Sequence, residues 1–226
     1  DILPGSSIGD VYSDARSDQF VAVHLHAASV FKRGHERWTD QIDTRGMRQP
    51  VAVFNPTSNP ASGWLQWKDI NGTEHWLFAE DVPSLGVKVI DASASGSPPI
   101  TMVEGLTLDN GLLRAMIDDT GGVSSLRCPD GADFVHSSLN RWASYNDHPP
   151  HWDAWDVEQS YMEQEIPLLP ASIAVKGQAI TVSRSLGKRS SSSLSYSIPP
   201  GSPCLKVEAR VDWHEDHTLL RALFPT

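Results

Sequence analysis

A mainly β fold with a short helical segment at its N-terminal end is what this sequence predicts, on three observations. In the first 45 or so positions apolar residues recur at helical spacing. From about Arg48 onward they fall in short alternating or clustered runs. Those runs are separated by Asn71-Gly72, Asp109-Asn110-Gly111 and Thr120-Gly121-Gly122, all turn chemistry. With 226 residues the chain can hold one large β domain or two to three smaller units.

Taken in order, Ser6 and Ser7 are candidate helix caps, and Ile8, Val11, Tyr12 and Ala15 follow at helical spacing. A second helical run, Phe20, Val23, His24, Ala27, Val30 and Phe31, begins after Asp18, and Gly34 is expected to end it. The expectation is two antiparallel helices. Two helices bury little by themselves, so their packing partners lie in the β region or outside the chain. Pro50 to Phe54 is a short strand stopped by Asn55-Pro56-Thr57-Ser58-Asn59-Pro60. Trp64 to Trp67 and His75 to Phe78 form a hairpin across Asn71-Gly72, and Val82 to Ile90 adds a strand. The small residues of 91–99 read as a linker. The expected division is therefore a helical segment over 1–46, a small β domain over 47–95 and part of a larger β-sandwich over 96–226.

In the last part, Leu106 to Leu108, Leu112 to Ile117 and Val123 to Leu126 make a tight meander. Ile173 to Val175 and Ile180 to Val182 turn around Lys176-Gly177-Gln178, and Arg189 to Ser193 reads as a polar hairpin tip. Leu205, Val207, Ala209, Val211 and Trp213 alternate with charged residues, the pattern of a strand buried on one face.

Composition narrows the function. Hydrophobic residues make up 39% of the chain, close to the globular norm once glycine is added. The net charge is −10 and no stripe of Lys or Arg appears, so a nucleic-acid partner lacks its electrostatic footprint. No apolar run reaches membrane-spanning length, so no membrane partner is expected. Cys128 and Cys204 have no CxxC partner and read as two buried free thiols or a disulfide, which leaves the compartment open.

One stretch carries most of the chemistry. Asn146 to Asp156 holds three acids, two histidines, two tryptophans and two prolines. The prolines stiffen it, Trp152 and Trp155 offer flat apolar faces, and Asp147, Asp153 and Asp156 offer paired acceptors. That mixture suits a sugar ring, with its apolar C–H face and outward hydroxyls. The alternative is that the tryptophans plug the end of a sandwich and the acids face water. Elsewhere, His24-Leu25-His26 and His214-Glu215-Asp216-His217 have metal-ligand residue types, but the first diverges on a helix and the second stands where a polar turn is expected. No phosphate loop, nucleophile elbow or HExxH sequence is present, and the Asn71-Gly72-Thr73 sequon already serves as a turn.

Five segments carry a family resemblance: Asp1 to Ile8, Val53 to Pro56, Gly121 to Leu126, Asp147 to Asp156, and Asp212 to Leu220 with Phe224-Pro225. Together and in this order they resemble family 38 α-mannosidases over nearly the whole chain. The resemblance implies a retaining glycosidase with a zinc-bearing catalytic barrel, a helical middle domain and large C-terminal β domains, the last a galactose mutarotase-like supersandwich. Asp1 matches the Asp of a His-Asp-x-x-x-Gly-(Ser/Thr) segment in which His ligates zinc and Asp touches sugar hydroxyls; the His is not in this sequence. Asp147, Asp153, Trp155 and Asp156 match a loop that in cytosolic-type members lies towards the catalytic cleft. The resemblance thus implies that these five residues contact substrate, that zinc or a similar divalent ion belongs to the full-length enzyme and not to this portion, and that no catalytic residue lies in it. The implied partners are α-mannosides or oligosaccharides and an N-terminal catalytic domain, with oligomerisation left open. A different class remains open, a free-standing β-sandwich that binds carbohydrate unaided, and so does a purely structural sandwich.

Overall fold

The computed structural model describes residues 9–94, 96–151, 157 and 159–225. These form two compact units. One takes its residues from 1–62 and 79–95, the other from 63–78, 96–153 and 157–226.

The first unit opens with a helical run that does not break. Helix α1 (Gly9–Asp14) passes through a π-helical turn (Ala15–Gln19) into α2 (Phe20–Thr39). This corrects the expectation of two antiparallel helices. Asp14 and Gln19 both keep right-handed helical dihedrals, and no Pro or Gly lies between the two runs to reverse the chain. Gly34 does not end α2 either. Inside a helix it costs about 1 kcal/mol relative to Ala, which the surrounding turns tolerate. The helix ends instead at Thr39, whose hydroxyl turns back onto the carbonyls of His35 and Glu36. Phe31 stacks near His35 at 4.4 Å, and His35 on Phe54 at 4.0 Å between ring centres.

Phe54 belongs to β1 (Pro50–Asn55), which pairs antiparallel with β4 (Gly86–Asp91). The turn chemistry after β1 is built by Asn55, which is buried. Its Nδ2 donates to the carbonyls of Asn59 and Val82, and its Oδ1 accepts from the amide and hydroxyl of Thr57. Asp91 accepts backbone N–H bonds from Arg48, Ser93 and Gln49, and those from Arg48 and Ser93 chiefly hold its carboxyl well below the ordinary range. Strands β2 (Ala61–Lys68) and β3 (Glu74–Val82) form the expected hairpin. Gly72 takes φ +81° at its tip, and Asp69 accepts from the amides of Asn71 and Thr73.

The second unit is a sandwich. One sheet runs in the order of its four strands, β5 (Met102–Glu104), β6 (Thr107–Asp109), β7 (Arg114–Ile117) and β8 (Val123–Arg127). After β8 come β9 (Arg141–Asn146) and β10 (Glu165–Ile166). The other four-stranded sheet is again in chain order: β11 (Ser172–Lys176), β12 (Ala179–Ser185), β13 (Ser191–Ser197) and β14 (Lys206–Asp212). The two sheets share one buried cluster: Leu108, Ala115, Ile117 and Val123 from the first, Ile180, Val182, Leu194 and Tyr196 from the second. Each large aliphatic side chain so buried contributes roughly 1.5–3 kcal/mol. Tyr196, at 0% exposure, satisfies its hydroxyl by donating to the Gly121 carbonyl and accepting from Asn140 Nδ2, both at 2.7 Å. Burial pushes its pKa above the usual tyrosine value.

Three expectations for this unit need correction. Ser191 to Ser193 are not a hairpin tip but the start of β13, and Ser192 is buried. A run of serines carries no strand signal of its own, so the pairing with β12 decides it. The alternating strand β14 is exposed along its whole length, because nothing among the described residues covers its apolar side. Cys128 and Cys204 are free as expected, but Cys128 is only half-buried against the core and Cys204 is exposed.

Candidate functional site

The Asn146 to Asp156 stretch begins where β9 ends. Strand β9 is central in a third sheet of the second unit, between β10 and β15 (Thr218–Leu223). That sheet has its own small core of Ala143, Tyr145 and Tyr161, flanked by Leu219 and Leu223. Tyr145 meets Tyr161 edge-on at 5.1 Å, and the Arg221 guanidinium lies 5.5 Å from the Tyr161 ring centre and donates to its hydroxyl. The first residues of the stretch therefore leave a rigid platform.

Those residues dock on the 214–217 turn. The Asp147 N–H donates to the His217 carbonyl at 2.9 Å, and the His148 and His217 rings stack at 4.5 Å, tilted by 21°. His217 holds φ +47°, a left-handed conformation that costs of order 1 kcal/mol in a non-glycine residue. The turn is clamped from below to sustain it. Glu215 accepts the Arg189 N–H at 2.8 Å, the bond that chiefly lowers its pKa, and the His214 N–H donates to the Ser190 hydroxyl at 2.7 Å. Arg189 also pairs with Asp216 at 2.8 Å. Position 187 must be glycine here, since a Cβ would stand 2.6 Å from the Glu215 carboxyl carbon. His214 itself turns away and bonds Asp212 at 2.9 Å.

Asp147 is the one expected site residue that the described region contains. Its Oδ1 is cut off from solvent and has no hydrogen-bond partner among the described residues. A desolvated carboxylate oxygen without a donor costs of order 1–3 kcal/mol or more, so this atom is an acceptor in want of a hydroxyl or N–H. Asp1, Asp153, Trp155 and Asp156 lie outside the described residues, as does Trp152. Sequence reasoning took 214–217 as a polar turn, which it is, but missed that His217 forms the seat for His148. No spacing signals such a contact, because the two segments are far apart in the chain and meet only through the β9–β15 pairing.

The other resemblance-bearing segments have folding roles. In the Asp118 to Gly122 turn, the Asp118 carboxylate accepts from the Thr120 amide and hydroxyl, the Gly122 amide and the Ser138 hydroxyl. Burial would raise its pKa, but these bonds outweigh it and hold the group below the ordinary value. Gly121 takes φ +83°, and a Cβ there would sit 2.5 Å from Val182; one on Gly122 would meet the Ser138 hydroxyl at 2.1 Å. Asp133 is similarly consumed, accepting from Leu126 N–H, Val135 N–H, the Ser125 hydroxyl and Arg127. His24 and His26 are exposed on α2. Among the described residues no three His, Cys, Asp or Glu side chains come together so as to hold a metal ion, and no chemistry is routed through one in this chain.

Comparison with known proteins bears on this site. Residues 108–226 match the family model for the glycosyl hydrolases family 38 C-terminal domain, a span that covers the sandwich from β6 onward, β9, β15 and the acidic stretch. The chain is 30% identical to alpha-mannosidase 2C1 of Homo sapiens over 194 residues, which is 71% of this chain and 18% of that protein. It is 29% identical to alpha-mannosidase 2C1 of Mus musculus over 177 residues, 67% of this chain and 16% of that protein. The chain thus spans less than a fifth of the length of the curated relatives it matches. On the strength of the model match over more than half its residues, this chain belongs to glycosyl hydrolase family 38 and carries that family's C-terminal domain.

Proposed function

We propose that this chain is the C-terminal, non-catalytic portion of an α-mannosidase, a retaining glycosidase acting on terminal α-D-mannose residues, and that it packs on a separate catalytic domain and helps shape its sugar site. The observation that carries the reading is the buried, unpartnered Asp147 Oδ1 at the head of the acidic stretch, within the region that matches the family 38 C-terminal domain. A carboxylate oxygen so placed can accept a sugar hydroxyl, and Asp153, Trp155 and Asp156 would extend the same wall, with Asp1 contributing from the first segment. The parts 1–46, 47–95 and 96–226 would correspond to the end of a helical middle domain, a small β domain and the start of the large sandwich.

Retaining hydrolysis needs a nucleophilic carboxylate and an acid about 5 Å apart across the scissile bond. On this reading both belong to the catalytic domain, together with zinc or a similar divalent ion. What this chain does is orient: the stacked His148 and His217 and the Glu215 clamp hold Asp147 in place before substrate arrives.

The test is hydrolysis of an aryl α-mannoside by the 226-residue chain and by a longer protein that includes the catalytic domain. Turnover by the longer protein alone is the expected result. Turnover by the 226-residue chain that survives an inactive-variant control would overturn the reading. Specific binding of mannosides by the chain alone, with no effect of the chain on catalysis, would instead make it a carbohydrate-binding module.

A further inference from the structure

The edge strand β14 is unusual for a strand at the border of a sheet. It runs seven residues, contains no proline or bulge, and pairs only with β13 among the described residues. Natural edges of this length are normally shortened, bent or covered. Its inward row, Val207, Ala209 and Val211, stands opposite Tyr196, Leu194 and Ser192, all three buried. Yet Val207 and Val211 remain 38% and 44% exposed. The core side of the sheet therefore continues as an open apolar row beyond the last strand.

The outward row decides what fits there. Lys206, Glu208, Arg210 and Asp212 alternate in sign along the strand, and all are exposed. We propose that β14 is the contact surface for a second copy of this chain, the two strands pairing antiparallel about a two-fold axis at Ala209 and joining two four-stranded sheets into one of eight. In that register Lys206 faces the partner's Asp212, Glu208 faces the partner's Arg210, Val207 faces the partner's Val211, and Ala209 faces its own equivalent. Every charged residue of the strand meets an opposite charge, and each such cross-strand pair is favourable.

The same sequence rejects the neighbouring registers. Moving the axis to residue 208 sets Lys206 against the partner's Arg210 and Glu208 against itself. Moving it to residue 210 sets Glu208 against the partner's Asp212 and Arg210 against itself. A shift of the pairing by a single residue turns the apolar row of one copy onto the charged face of the other. Lysine and arginine on an edge ordinarily discourage association, but here acids at alternate positions neutralise them in one register only. Within a single copy Lys206 and Glu208 already lie 3.2 Å apart, so their heads project from the same face that the partner would meet. A contact of one strand pair and two valine pairs is small by the standards of permanent interfaces, so a reversible dimer is expected.

The experiment is sedimentation equilibrium of the intact polypeptide over a concentration series, with hydrogen exchange of the β14 amides measured at each concentration. A monomer–dimer equilibrium is expected, with protection of β14 rising with concentration while that of β11, the opposite edge of the sheet, stays constant. Arg210→Glu creates two acid–acid contacts and should weaken the dimer about tenfold or more. The double variant Glu208→Arg with Arg210→Glu restores complementarity and should return the affinity to near the starting value. Both positions are exposed, and an unchanged melting curve verifies that the fold survives. A protein that stays monomeric into the range of roughly 100 µM, a dimer indifferent to Arg210→Glu, or a double variant no better than the single one would overturn the proposal. Protection of β14 that is complete at every concentration would also overturn it, since another segment of the same polypeptide would then cover the strand.

Discussion

Asp118 and Asp147 stand at the borders of two segments with similar claims to function, and the structure treats them in opposite ways. Asp118 spends both carboxylate oxygens on its own turn, accepting from Thr120, Gly122 and Ser138, and the two glycines beside it are dictated by Val182 and Ser138. Asp147 has one oxygen sealed from water with no partner among the described residues. An aspartate in a turn-rich, motif-bearing segment is thus more informative by what its oxygens lack than by the company it keeps in sequence. A satisfied carboxylate explains a turn; an unsatisfied buried one asks for a ligand.

The comparison can be broken from several sides. The largest effect is expected at the residue that joins the Asp118 turn to the core. Tyr196→Ala removes a fully buried ring together with the hydroxyl that ties Gly121 to Asn140, and should destabilise the fold by about 3–5 kcal/mol in denaturant unfolding. Tyr196→Phe, which keeps the ring, should cost about 1–3 kcal/mol by leaving those partners unpaired. If both variants melt like the parent, the turn is not anchored as described.

The next effect is a pH dependence. The folded Asp118 pKa lies below its unfolded value, so the group's contribution is fully present above the unfolded pKa of about 3.9 and is lost as pH falls through that value towards the folded one. Part of the acid-induced loss of stability below about pH 4 should vanish in Asp118→Asn, whose stability at neutral pH is lower than the parent's. Parallel acid profiles for the two proteins would remove the special status of this carboxylate.

Asp147→Asn should behave in the reverse sense. It replaces a desolvated charge with a neutral amide of nearly the same shape, so thermal stability should hold or rise slightly. In a longer protein with α-mannosidase activity, kcat/KM should fall roughly tenfold or more, as loss of a polar contact to substrate would produce. A fall in melting temperature proportional to the loss of activity would make Asp147 a second Asp118. The smallest effect is expected at Ser144, whose hydroxyl is buried in a residue only 1% exposed and lacks a partner among the described residues. Ser144→Ala should be neutral or stabilising by up to about 1 kcal/mol in the same unfolding assay.

The sequence by itself determined the β character and most of the strand order. Period-two alternation and glycine turns are local: Asn71-Gly72, Asp109-Asn110-Gly111 and Asp118 to Gly122 specify their reversals whatever lies beyond them. The same locality made the family resemblance readable, and the match over 108–226 agrees with it. Tertiary structure decided the rest. Whether the two N-terminal helical runs fold back or continue depends on the absence of a breaker and not on their apolar spacing, so one continuous run appears where two were expected. Strand β13 forms from serines because β12 and β14 flank it, and β14, whose alternation reads as half-buried, is exposed because burial belongs to a partner and not to a pattern. The seating of Asp147 and His148 on His217 likewise follows from the β9–β15 register, which brings together segments some seventy residues apart that no local rule relates.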